Sequence, residues 1–507
     1  MSTTVTRQDA RYDTLRKSRN LRWPSSGDEF ASEVDLCDSE GDVAEVLQRV
    51  VSAGMRPTVR SGGHCYEDFV VNNPNGAIID LSLLKQGRLP DERAQYTISA
   101  GQVLGEVYLD LYKRHGVTIP AGTCYGVGAG GHISGGGYGV LSRLHGLTVD
   151  WLSAVNILTV DAHGKVVRRR VSKENDPDLF KACRGAGGGS FGIITSFHCD
   201  KLPPAPQEIV EAHISFDWKD MTEARFIQIL QTYGHYWETR GKDPDTWGLF
   251  AGLGLSHSSS GRLGIGLQFC NPDGTCKDLS VVNEFLDLFQ HCKPIAGAAN
   301  LPGDKKVFHD PKAPKECVGD HEIARHQWLE ATIGGGGGGG EARTKYKSCY
   351  MKRNFTTDEA KIIYKRLTQE APGVDLRGFV LSVDSYGGAT NKLSLADETS
   401  RWQRSSVMKL QYQYYWRNAG EDDARLKWLH DLYADIYSTS NVDPRYTSTP
   451  YPGEYYEGCY INYPDADMLK YPFWTGLYYG DQYPFLQGVK RKYDPNNIFH
   501  HAMSVRA

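Results

Sequence analysis

Two nucleophilic side chains, each beside a glycine-rich turn, carry the strongest chemical signal in the sequence. His64 ends the segment RSGGH, and Cys124 lies in AGTCYGVG, sixty positions further on. Glycine lets backbone approach a ligand closely because it has no side chain and adopts left-handed conformations freely. The thiolate is the reactive form of cysteine. Each segment therefore places a nucleophile beside a turn that is suited to a bound ligand.

Two other glycine motifs fit better-known signatures but lack the context that those signatures need. Gly126–Gly131 fits the dinucleotide fingerprint GxGxxG, which must follow a strand and open a helix. The glycine tract runs on to Gly139 and is not expected to nucleate a helix. Gly188–Gly192 fits the hydrolase motif GxSxG, but Ile193–Thr195 predicts a strand where that motif needs a helix. NAD binding and serine hydrolysis are therefore disfavoured.

Metal chemistry and nucleic-acid binding are not supported by the residue pattern. There is no HExxH or comparable ligand spacing, and we interpret His500 and His501 as packing of the chain end, so we expect no metal. The net charge of −4 comes without a basic stripe that would bind nucleic acid.

Length and composition predict an ordinary globular protein of two or three domains. The chain has 507 residues, of which 40% are hydrophobic and 23% charged. Its first residues have no apolar signal-peptide region, and no segment approaches the ~20 apolar residues of a membrane span. The eleven cysteines show no CxxC spacing, so we expect mostly reduced, buried thiols. These features predict a cytoplasmic protein with no membrane partner, either a monomer or a homodimer.

Tyrosine is the other compositional bias. Many of the 29 tyrosines fall in residues 346–486. Tyrosine combines a flat apolar ring with a hydroxyl group, so a tyrosine-rich cleft suits sugars, aromatic polyols or glycosylated aromatics. Most of these residues are nevertheless expected to be half-buried strand residues.

The hydrophobic pattern predicts an α+β fold in which two kinds of domain follow one another. Residues 1–204 are predicted to begin with a helix and to form α/β units threaded by glycine loops. The expected elements are a helix at 42–51, strands at 57–60, 77–81 and 96–101, a helix at 104–116, and a hairpin of 152–160 with 166–171.

A proline-rich linker at 203–206 precedes a change of pattern. Residues 205–450 are predicted to form an antiparallel sheet backed by helices. The expected strands include 209–216, 248–255 and 263–269, and the expected helices include 221–239. Strands are expected to bracket helices again at 357–371 and 376–384. Gly334–Gly340, a run of seven glycines, is interpreted as a floppy surface loop rather than a functional flap.

The tract AGTCYGVGAGGHISGGGYG (121–139) resembles the signature of the berberine-bridge-enzyme-like FAD oxidases. These form the bicovalent branch of the vanillyl-alcohol-oxidase superfamily and include oligosaccharide oxidases and antibiotic-tailoring sugar oxidases. Four further segments match the family, namely RYDTL (11–15), GAGGGSFG (185–192), YINYPD (460–465) and YDPNNIF (493–499). The resemblance implies a split FAD-binding domain made of two small α/β subdomains, in which residues 451–507 return to the N-terminal part.

The resemblance also implies which residues hold FAD. His64 matches the site bonded to the flavin 8α-methyl group and Cys124 the site bonded to flavin C6. His132 matches the residue beside flavin N1–C2=O, and Val127 the residue that controls access of oxygen. The glycine loops would present backbone N–H groups to the pyrophosphate. The remaining expected cofactor contacts are Arg60, Ser61, Gly62, Gly63, Gly128, Gly131, Gly135, Gly189, Gly192 and Asn497.

For the reaction, the resemblance implies hydride transfer from a C–H group to flavin N5, with a base that takes the hydroxyl proton. Tyr463 is the expected base and Tyr460 its helper. A free tyrosine has a pKa of about 10, so such a base needs a nearby cation or donor. Lys409 and Gln411 alternate on one strand face and match the family's active-site strand, although Gln411 cannot ionise. Tyr66 and Tyr138 are expected to border the ring and the substrate, and Tyr350 and Tyr386 to line the cleft or to pack in the core.

These inferences predict an oxidase that converts an alcohol or hemiacetal carbon and O2 into a ketone, lactone or acid and H2O2. The substrate is either a free saccharide or a glycosylated natural product, which could react on its sugar or its aglycone. A flavin-containing binding protein without turnover is the remaining alternative, and steady release of H2O2 would exclude it.

Overall fold

The structure, a computed structural model, describes residues 2–85, 96–294, 315–334, 341–392, 397–438 and 443–507. Within these ranges three β-sheets are packed with helices, which confirms the predicted α+β class. The first two sheets lie within residues 1–204, and the third lies within 205–450.

The first sheet is mixed and has four strands in the order β1-β2-β4-β3. β1 pairs antiparallel with β2, whereas β2, β4 and β3 run parallel. The sequence led us to expect a helix first, but the β-branched segment TTVT forms an edge strand whose Val5 is fully buried. The elements are β1 (Thr3–Thr6), α1 (Tyr12–Leu15), β2 (Glu33–Leu36), α2 (Glu40–Ser52), β3 (Pro57–Arg60) and β4 (Ala77–Asp80).

The second sheet is antiparallel, with four strands in the order β5-β8-β6-β7. The predicted hairpin is confirmed as β6 and β7, and the strand predicted after the GxSxG motif is confirmed as β8. The elements are β5 (Tyr96–Ser99), α3 (Leu104–His115), α4 (Ala129–Ser134), α5 (Ser142–His145), β6 (Ala154–Val160), β7 (Val166–Ser172), α6 (Pro177–Cys183) and β8 (Ile193–Cys199).

The glycine tract does open a helix, α4, and the expectation that it would not was wrong. Tertiary contacts outweigh the low helix propensity of glycine in this segment. The N–H groups of Ala129 and Gly130 donate to the carbonyls of Gln102 and Ala100, and Ile133 is fully buried. Residues 121–127 before the helix contain no strand, so the βαβ unit of a dinucleotide fingerprint is absent from this described segment.

The third sheet has eight antiparallel strands in the order β12-β13-β9-β11-β10-β15-β16-β14. Its elements are β9 (Glu208–Asp217), α7 (Glu223–Thr239), β10 (Leu249–Ser256), β11 (Arg262–Phe269), α8 (Ser280–Asp287), β12 (Lys315–Val318), β13 (His321–Gln327), α9 (Trp328–Gly334), β14 (Arg343–Met351), α10 (Thr357–Thr368), β15 (Phe379–Ser385), β16 (Met408–Trp416) and α11 (Asp422–Ile436). The predicted strands and helices of this region are confirmed within a few residues. Of the glycine run, residues 335–340 lie outside the described residues.

One face of the third sheet packs against helices, and the other is left to line a cavity. Leu253, Leu255 and Leu263 are fully buried on the helix face. The Tyr233 hydroxyl of α7 donates to the carbonyls of Ala251 and Val383, at 2.8 and 2.7 Å. Side chains of a strand alternate between faces, so the intervening residues point to the cavity.

The C-terminal residues return to the glycine loop that precedes β8. After α12 (Trp474–Tyr479) and α13 (Tyr483–Tyr493), the chain ends beside this loop. Lys490, fully buried in an ion pair with Asp494, donates to the carbonyls of Ser190 and Phe499 at 2.8 and 2.6 Å. These bonds fasten residues 185–192 to the chain end. Among the described residues, no helix is long and apolar enough to cross a membrane.

Candidate active site

One cavity of about 1140 Å³ lies between the glycine loops, the third sheet and the C-terminal segment. It exceeds the ~300–1,000 Å³ of pockets for drug-sized ligands, so it can hold a larger molecule or two together. Most of the expected cofactor residues line it: His64, Cys124, Arg60, Ser61, Gly62, Gly63, Gly128, Gly131, His132, Gly189, Gly192 and Val127.

The loops that carry His64 and Cys124 meet in direct backbone contact. A Cβ atom added to Gly62 would lie 2.3 Å from the Gly128 nitrogen, and one added to Gly128 would lie 2.2 Å from the Gly62 nitrogen. Side-chain atoms do not fit at such distances, so glycine is required at both positions. The contact brings residues sixty positions apart to one wall of the cavity, which we call the loop wall (residues 60–66, 122–132 and 187–192).

His64 is a neutral imidazole with one unused nitrogen. Burial lowers its pKa to about 4, Arg19 adds to this effect, and a hydrogen bond to the Gly126 backbone opposes it. The ring is therefore uncharged at neutral pH, which is the nucleophilic form. Its Nε2 atom is buried and has no hydrogen-bond partner in the part of the chain that the structure describes. A buried polar atom without a partner points to a missing ligand.

Cys124 differs from the other thiols of the cavity because it is exposed. Cys65 and Cys183 also line the cavity, and burial raises the pKa of each thiol to about 12, so they stay protonated. Eight of the eleven cysteines are buried, and none forms a disulfide. Cys124 is thus the accessible thiol of this wall.

His132 is half-buried and oriented by the backbone. Its Nε2 atom accepts a hydrogen bond from the Gly122 N–H at 3.0 Å, and burial lowers its pKa to about 4. The neutral ring therefore carries its proton on Nδ1, where it is a donor. This arrangement would place a hydrogen-bond donor beside flavin N1–C2=O, the position that the resemblance implies for His132.

Arg60 lines the cavity but is held by the chain, and two other expected cofactor residues do not line it. The Arg60 guanidinium is engaged by Asp80 at 2.6 Å and by carbonyls of the N-terminal segment. Gly135 is absent from the cavity lining and packs against Asn462. Asn497, at a left-handed φ of 51°, lines a separate cavity of about 720 Å³.

The opposite wall is formed by the cavity face of the third sheet, which we call the sheet wall (β10, β11 and β14–β16). Lys409 and Gln411 alternate on β16 as predicted and both line the cavity. The Lys409 ammonium is almost fully buried and pairs with Asp384 of β15 at 2.6 Å. The sequence interpretation missed Asp384, although polar residues alternate with apolar ones along Phe379–Ser385.

Tyr463 lies where the two walls meet. Its ring centroid is 6.0 Å from that of Tyr66, and the Lys409 ammonium is 4.9 Å from its ring centroid. No hydrogen bond joins its hydroxyl to another described residue. Burial, with Tyr66 and Asp384, raises the pKa of Tyr463 well above its ordinary value. Tyr463 is therefore protonated at rest, with a cation beside the ring that favours the phenolate when it forms.

Tyr460 supports Tyr463 from behind. The two rings lie 4.9 Å apart, but Tyr460 is buried and absent from the cavity lining. Its hydroxyl accepts a hydrogen bond from Asn462 at 3.0 Å, and the Arg401 guanidinium lies 4.5 Å from its ring centroid. Burial raises its pKa, an effect that Arg401 opposes.

Further tyrosines surround this point. Tyr138 lines the cavity, donates its hydroxyl to the Ser385 carbonyl and has Lys409 4.8 Å from its ring centroid. Tyr66 stacks on Tyr346, with centroids 3.6 Å apart. Tyr346, whose hydroxyl bonds that of Tyr415, was not singled out from the sequence. The aromatic lining that the composition predicted is thus built from both walls.

Tyr350 and Tyr386 do not line the cavity, so the prediction that they contact substrate is not supported. Both are almost completely buried, and their rings pack 5.0 Å apart. The Tyr350 hydroxyl bonds Arg401, and the Tyr386 hydroxyl donates to the Gln403 carbonyl at 3.0 Å. Core packing, the alternative interpretation, holds for both.

A cluster of five charged residues, four of them buried, fastens the His64 loop and the Tyr463 segment to β14. Lys345 pairs with Glu67 at 2.5 Å and with Asp465 at 2.7 Å. Lys347 pairs with Asp465 at 2.6 Å and with Asp467 at 2.7 Å. Glu67 lies three residues after His64, and Asp465 lies two after Tyr463. The cluster therefore sets the position of one wall against the other, and no sequence pattern indicated it.

Comparisons with known proteins agree with this site. The sequence model of the FAD binding domain matches residues 31–170, and that of berberine and berberine like proteins matches residues 459–506. Aclacinomycin-N/aclacinomycin-A oxidase of Streptomyces galilaeus is 31% identical over 99% of this chain and 89% of its own. Hexose oxidase of Chondrus crispus is 31% identical over 99% of this chain and 94% of its own.

A solved structure of similar fold also matches the complete chain. It is that of GilR, an oxidoreductase of gilvocarcin biosynthesis, in complex with pregilvocarcin, with a TM-score of 0.87, 29% identity and complete coverage of both chains. The unpartnered His64 nitrogen, the exposed Cys124 and the glycine loops fit FAD at the loop wall. Among the described residues, no group of three or more His, Cys, Asp or Glu could hold a metal ion. The chain belongs to the berberine-bridge-enzyme-like family of FAD-linked oxidoreductases.

Proposed function

We propose that this protein oxidises an alcohol or hemiacetal carbon on a sugar or a glycosylated natural product. One secondary alcohol and one O2 give one ketone and one H2O2, so the two electrons and two protons that leave the substrate all reach oxygen. Bound FAD supplies the hydride acceptor and returns the electrons to O2. The observation that carries the proposal is one cavity with His64 and Cys124 on one wall and Tyr463, Lys409 and Asp384 facing them. Two relatives with 31% identity are named as an oxidase of aclacinomycins and an oxidase of hexose, the second of which is a sugar.

His64 and Cys124 hold the cofactor by two covalent bonds in this proposal. The neutral imidazole of His64 and the exposed thiol of Cys124 are the accessible nucleophiles of the loop wall. His132 orients its Nδ1–H as a donor at the same wall, and the half-buried Val127 also lines the cavity there. Two tethers fix the position of the ring more firmly than hydrogen bonds alone would, and such a fixed arrangement favours reaction.

Tyr463 takes the substrate hydroxyl proton. Its own hydroxyl has no hydrogen bond in the described structure, and Lys409 stabilises its phenolate. Burial raises the pKa of Tyr463 and keeps it protonated at rest, so its own proton must first pass to water in the cavity. The phenolate then accepts the substrate hydroxyl proton as the C–H bond breaks. Gln411, beside Lys409 on the sheet wall, offers an amide to hold the substrate in place.

The two attachment sites are tested by acid denaturation followed by intact-mass measurement. Wild type should retain one FAD mass and a yellow pellet, and Cys124→Ser should retain FAD through His64 with an altered absorption spectrum. The double variant His64→Ala, Cys124→Ser should lose FAD in acid. Cys65→Ser is the matched control, because this half-buried, protonated thiol next to His64 should have no effect. Release of FAD from acid-treated wild type would contradict covalent attachment.

Activity is tested separately by release of H2O2 with sugars and glycosides. Steady turnover with any of them would support the oxidase proposal. Retained FAD without turnover on any substrate would instead favour a binding protein.

A further inference from the structure

Four glycines form a strip on the cavity face of the two central strands of the third sheet. Gly252 and Gly254 lie on β10, and Gly264 and Gly266 lie opposite them on β11. The residues between them are large and apolar. Leu253, Leu255 and Ile265 point to the helices and are at most 1% exposed. Glycine is thus confined to one face of these strands. We call this strip the glycine trough.

Packing within the protein does not require glycine at the two positions on β10. A Cβ atom added to Gly252 would meet its nearest neighbour, Asp384 Oδ1, at 3.5 Å. One added to Gly254 would meet the Gly264 carbonyl oxygen at 3.8 Å. Both distances are ordinary van der Waals contacts, and both residues line the cavity.

Glycine destabilises a strand, so its presence there needs a separate reason, such as a ligand that occupies the space of a side chain. It loses the most conformational freedom on folding, and strands favour β-branched and aromatic residues. Glycine inside a strand often marks a place where a ligand or another backbone approaches closely. No other backbone occupies the cavity side of Gly252 and Gly254 among the described residues. A ligand is the remaining reason.

The trough adjoins the reacting end of the site. Gly252 lies opposite Asp384 in register, and Asp384 lies opposite Lys409, the cation beside Tyr463. In the order of the sheet, β10 lies two strands from β16, and β11 lies three strands from it. With neighbouring strands ~4.8 Å apart, the trough lies roughly 10–14 Å from Lys409. A molecule that spans this distance is longer than one pyranose ring.

We propose that the glycine trough is a subsite for a second ring of the substrate. The substrate is then a glycoside or an oligosaccharide with a ring beyond the sugar that is oxidised, and not a free monosaccharide. The inference rests on the proposed oxidase function and names its substrate class. A floor without side chains accepts the flat face of a ring. Ser382 and Asp384 along one edge offer hydrogen bonds, and Phe250 at one end offers an apolar contact.

The test places a larger side chain in the glycine trough of the FAD-loaded enzyme. Gly254→Val and Gly252→Val are assayed by H2O2 release with free hexoses, with their disaccharides and with their aryl glycosides. We expect kcat/KM to fall about tenfold or more for two-ring substrates, mainly through KM, and to change less than about threefold for free hexoses. A fall in kcat/KM with disaccharides indicates that the trough binds a second sugar. A fall with aryl glycosides indicates that it binds an aromatic group.

Thermal stability separates a subsite from a structural role. Valine suits a strand, and an added Cβ atom meets no close contact at either position, so the melting temperature should stay unchanged or rise. Leu253→Ile, which changes the helix face of the same strand, is the matched control and should leave the substrate preference unchanged.

Two results would overturn the subsite. One is that kcat/KM falls equally, or does not fall, for hexoses and for two-ring substrates in both valine variants. The other is a lower melting temperature that accompanies the loss of activity. In either case the oxidase proposal stands if wild type releases H2O2. Wild type that oxidises none of these compounds would remove the oxidase proposal, and the subsite with it.

Discussion

The loop wall and the sheet wall both use glycine, but for opposite reasons. On the loop wall, Gly62 and Gly128 let two backbones touch, and an added Cβ would lie 2.3 or 2.2 Å from a backbone nitrogen. On the sheet wall, Gly252 and Gly254 have no neighbour nearer than 3.5 Å to an added Cβ. The first pair is fixed by packing of the chain. The second pair leaves space that the chain does not use.

The two walls also differ in the chemistry they present. The loop wall offers backbone groups, neutral imidazoles and the Cys124 thiol. The sheet wall offers the buried Lys409–Asp384 ion pair and alternating polar side chains. A cofactor held by backbone keeps its place whatever the substrate, whereas side chains that alternate on strands can change specificity without changing the fold. The comparison suggests that attachment and specificity are divided between the walls.

The largest expected effect tests where proton transfer occurs. Tyr463→Phe should slow substrate-dependent flavin reduction by about 10²–10⁴-fold, because it removes the proposed base. The amount of bound FAD should not change, because the loop wall is intact. Stopped-flow absorbance measures the rate, and acid-precipitated flavin measures the content. Tyr415→Phe, another tyrosine on the cavity, is the control and should cost far less. An unchanged rate in Tyr463→Phe would remove this residue as the base.

A smaller effect tests the packing role of the loop-wall glycines. Gly128→Ala should lower the free energy of unfolding by about 1–3 kcal/mol, because its methyl group would overlap the Gly62 backbone. FAD content should fall with it, since both loops must move apart. Denaturant unfolding and flavin absorbance measure the two quantities. Gly254→Ala, the same change on the sheet wall, should leave both within error. Equal destabilisation by Gly128→Ala and Gly254→Ala would contradict the claim that the two walls use glycine for different reasons.

The smallest effect concerns two half-buried imidazoles, one on the loop wall and one in the chain end beside it. Burial lowers the pKa of both His132 and His501 to about 4, whereas an unfolded histidine titrates near 6.5. The unfolded chain therefore binds protons first as pH falls, so the stability present above pH 6.5 is lost progressively toward pH 4. For each histidine, the free energy of unfolding should fall by about 1 kcal/mol as the pH is lowered from about 7.5 to about 6. In denaturant melts, the free energy of unfolding of His501→Asn should depend less on pH than that of wild type. An identical pH dependence in the two proteins would contradict this role of His501.

Local patterns in the sequence predicted most of the elements that frame the site. The strand Pro57–Arg60, the hairpin of β6 and β7 and the alternation of Lys409 with Gln411 follow from periodicity alone. The glycine-rich motifs around His64 and Cys124 indicated the cofactor wall. Helix α4 shows the limit of this approach, because contacts with Ala100 and Gln102 overcame the low helix propensity of glycine.

Residue type left the positions of Tyr350 and Tyr386 open between the cleft and the core. In the structure Tyr386 follows the end of β15 and is buried, whereas Asp384, within β15, lines the cavity. Tyr350 lies opposite Lys409 in register, but Arg401 and Tyr386 cover it. Tyrosine content therefore predicted an aromatic cavity but not which rings face it.

The sequence by itself determined the two nucleophiles, the glycine turns beside them and the strands of the sheet, because each depends on residues close together in the chain. Only the tertiary structure decided that the loops of His64 and Cys124 touch, and that Lys345 and Lys347 join the His64 loop to the Tyr463 segment. The same holds for the glycine trough, whose two halves lie on different strands. The physical reason is that burial, ion pairing and open space depend on partners far apart in sequence, which local preference does not specify.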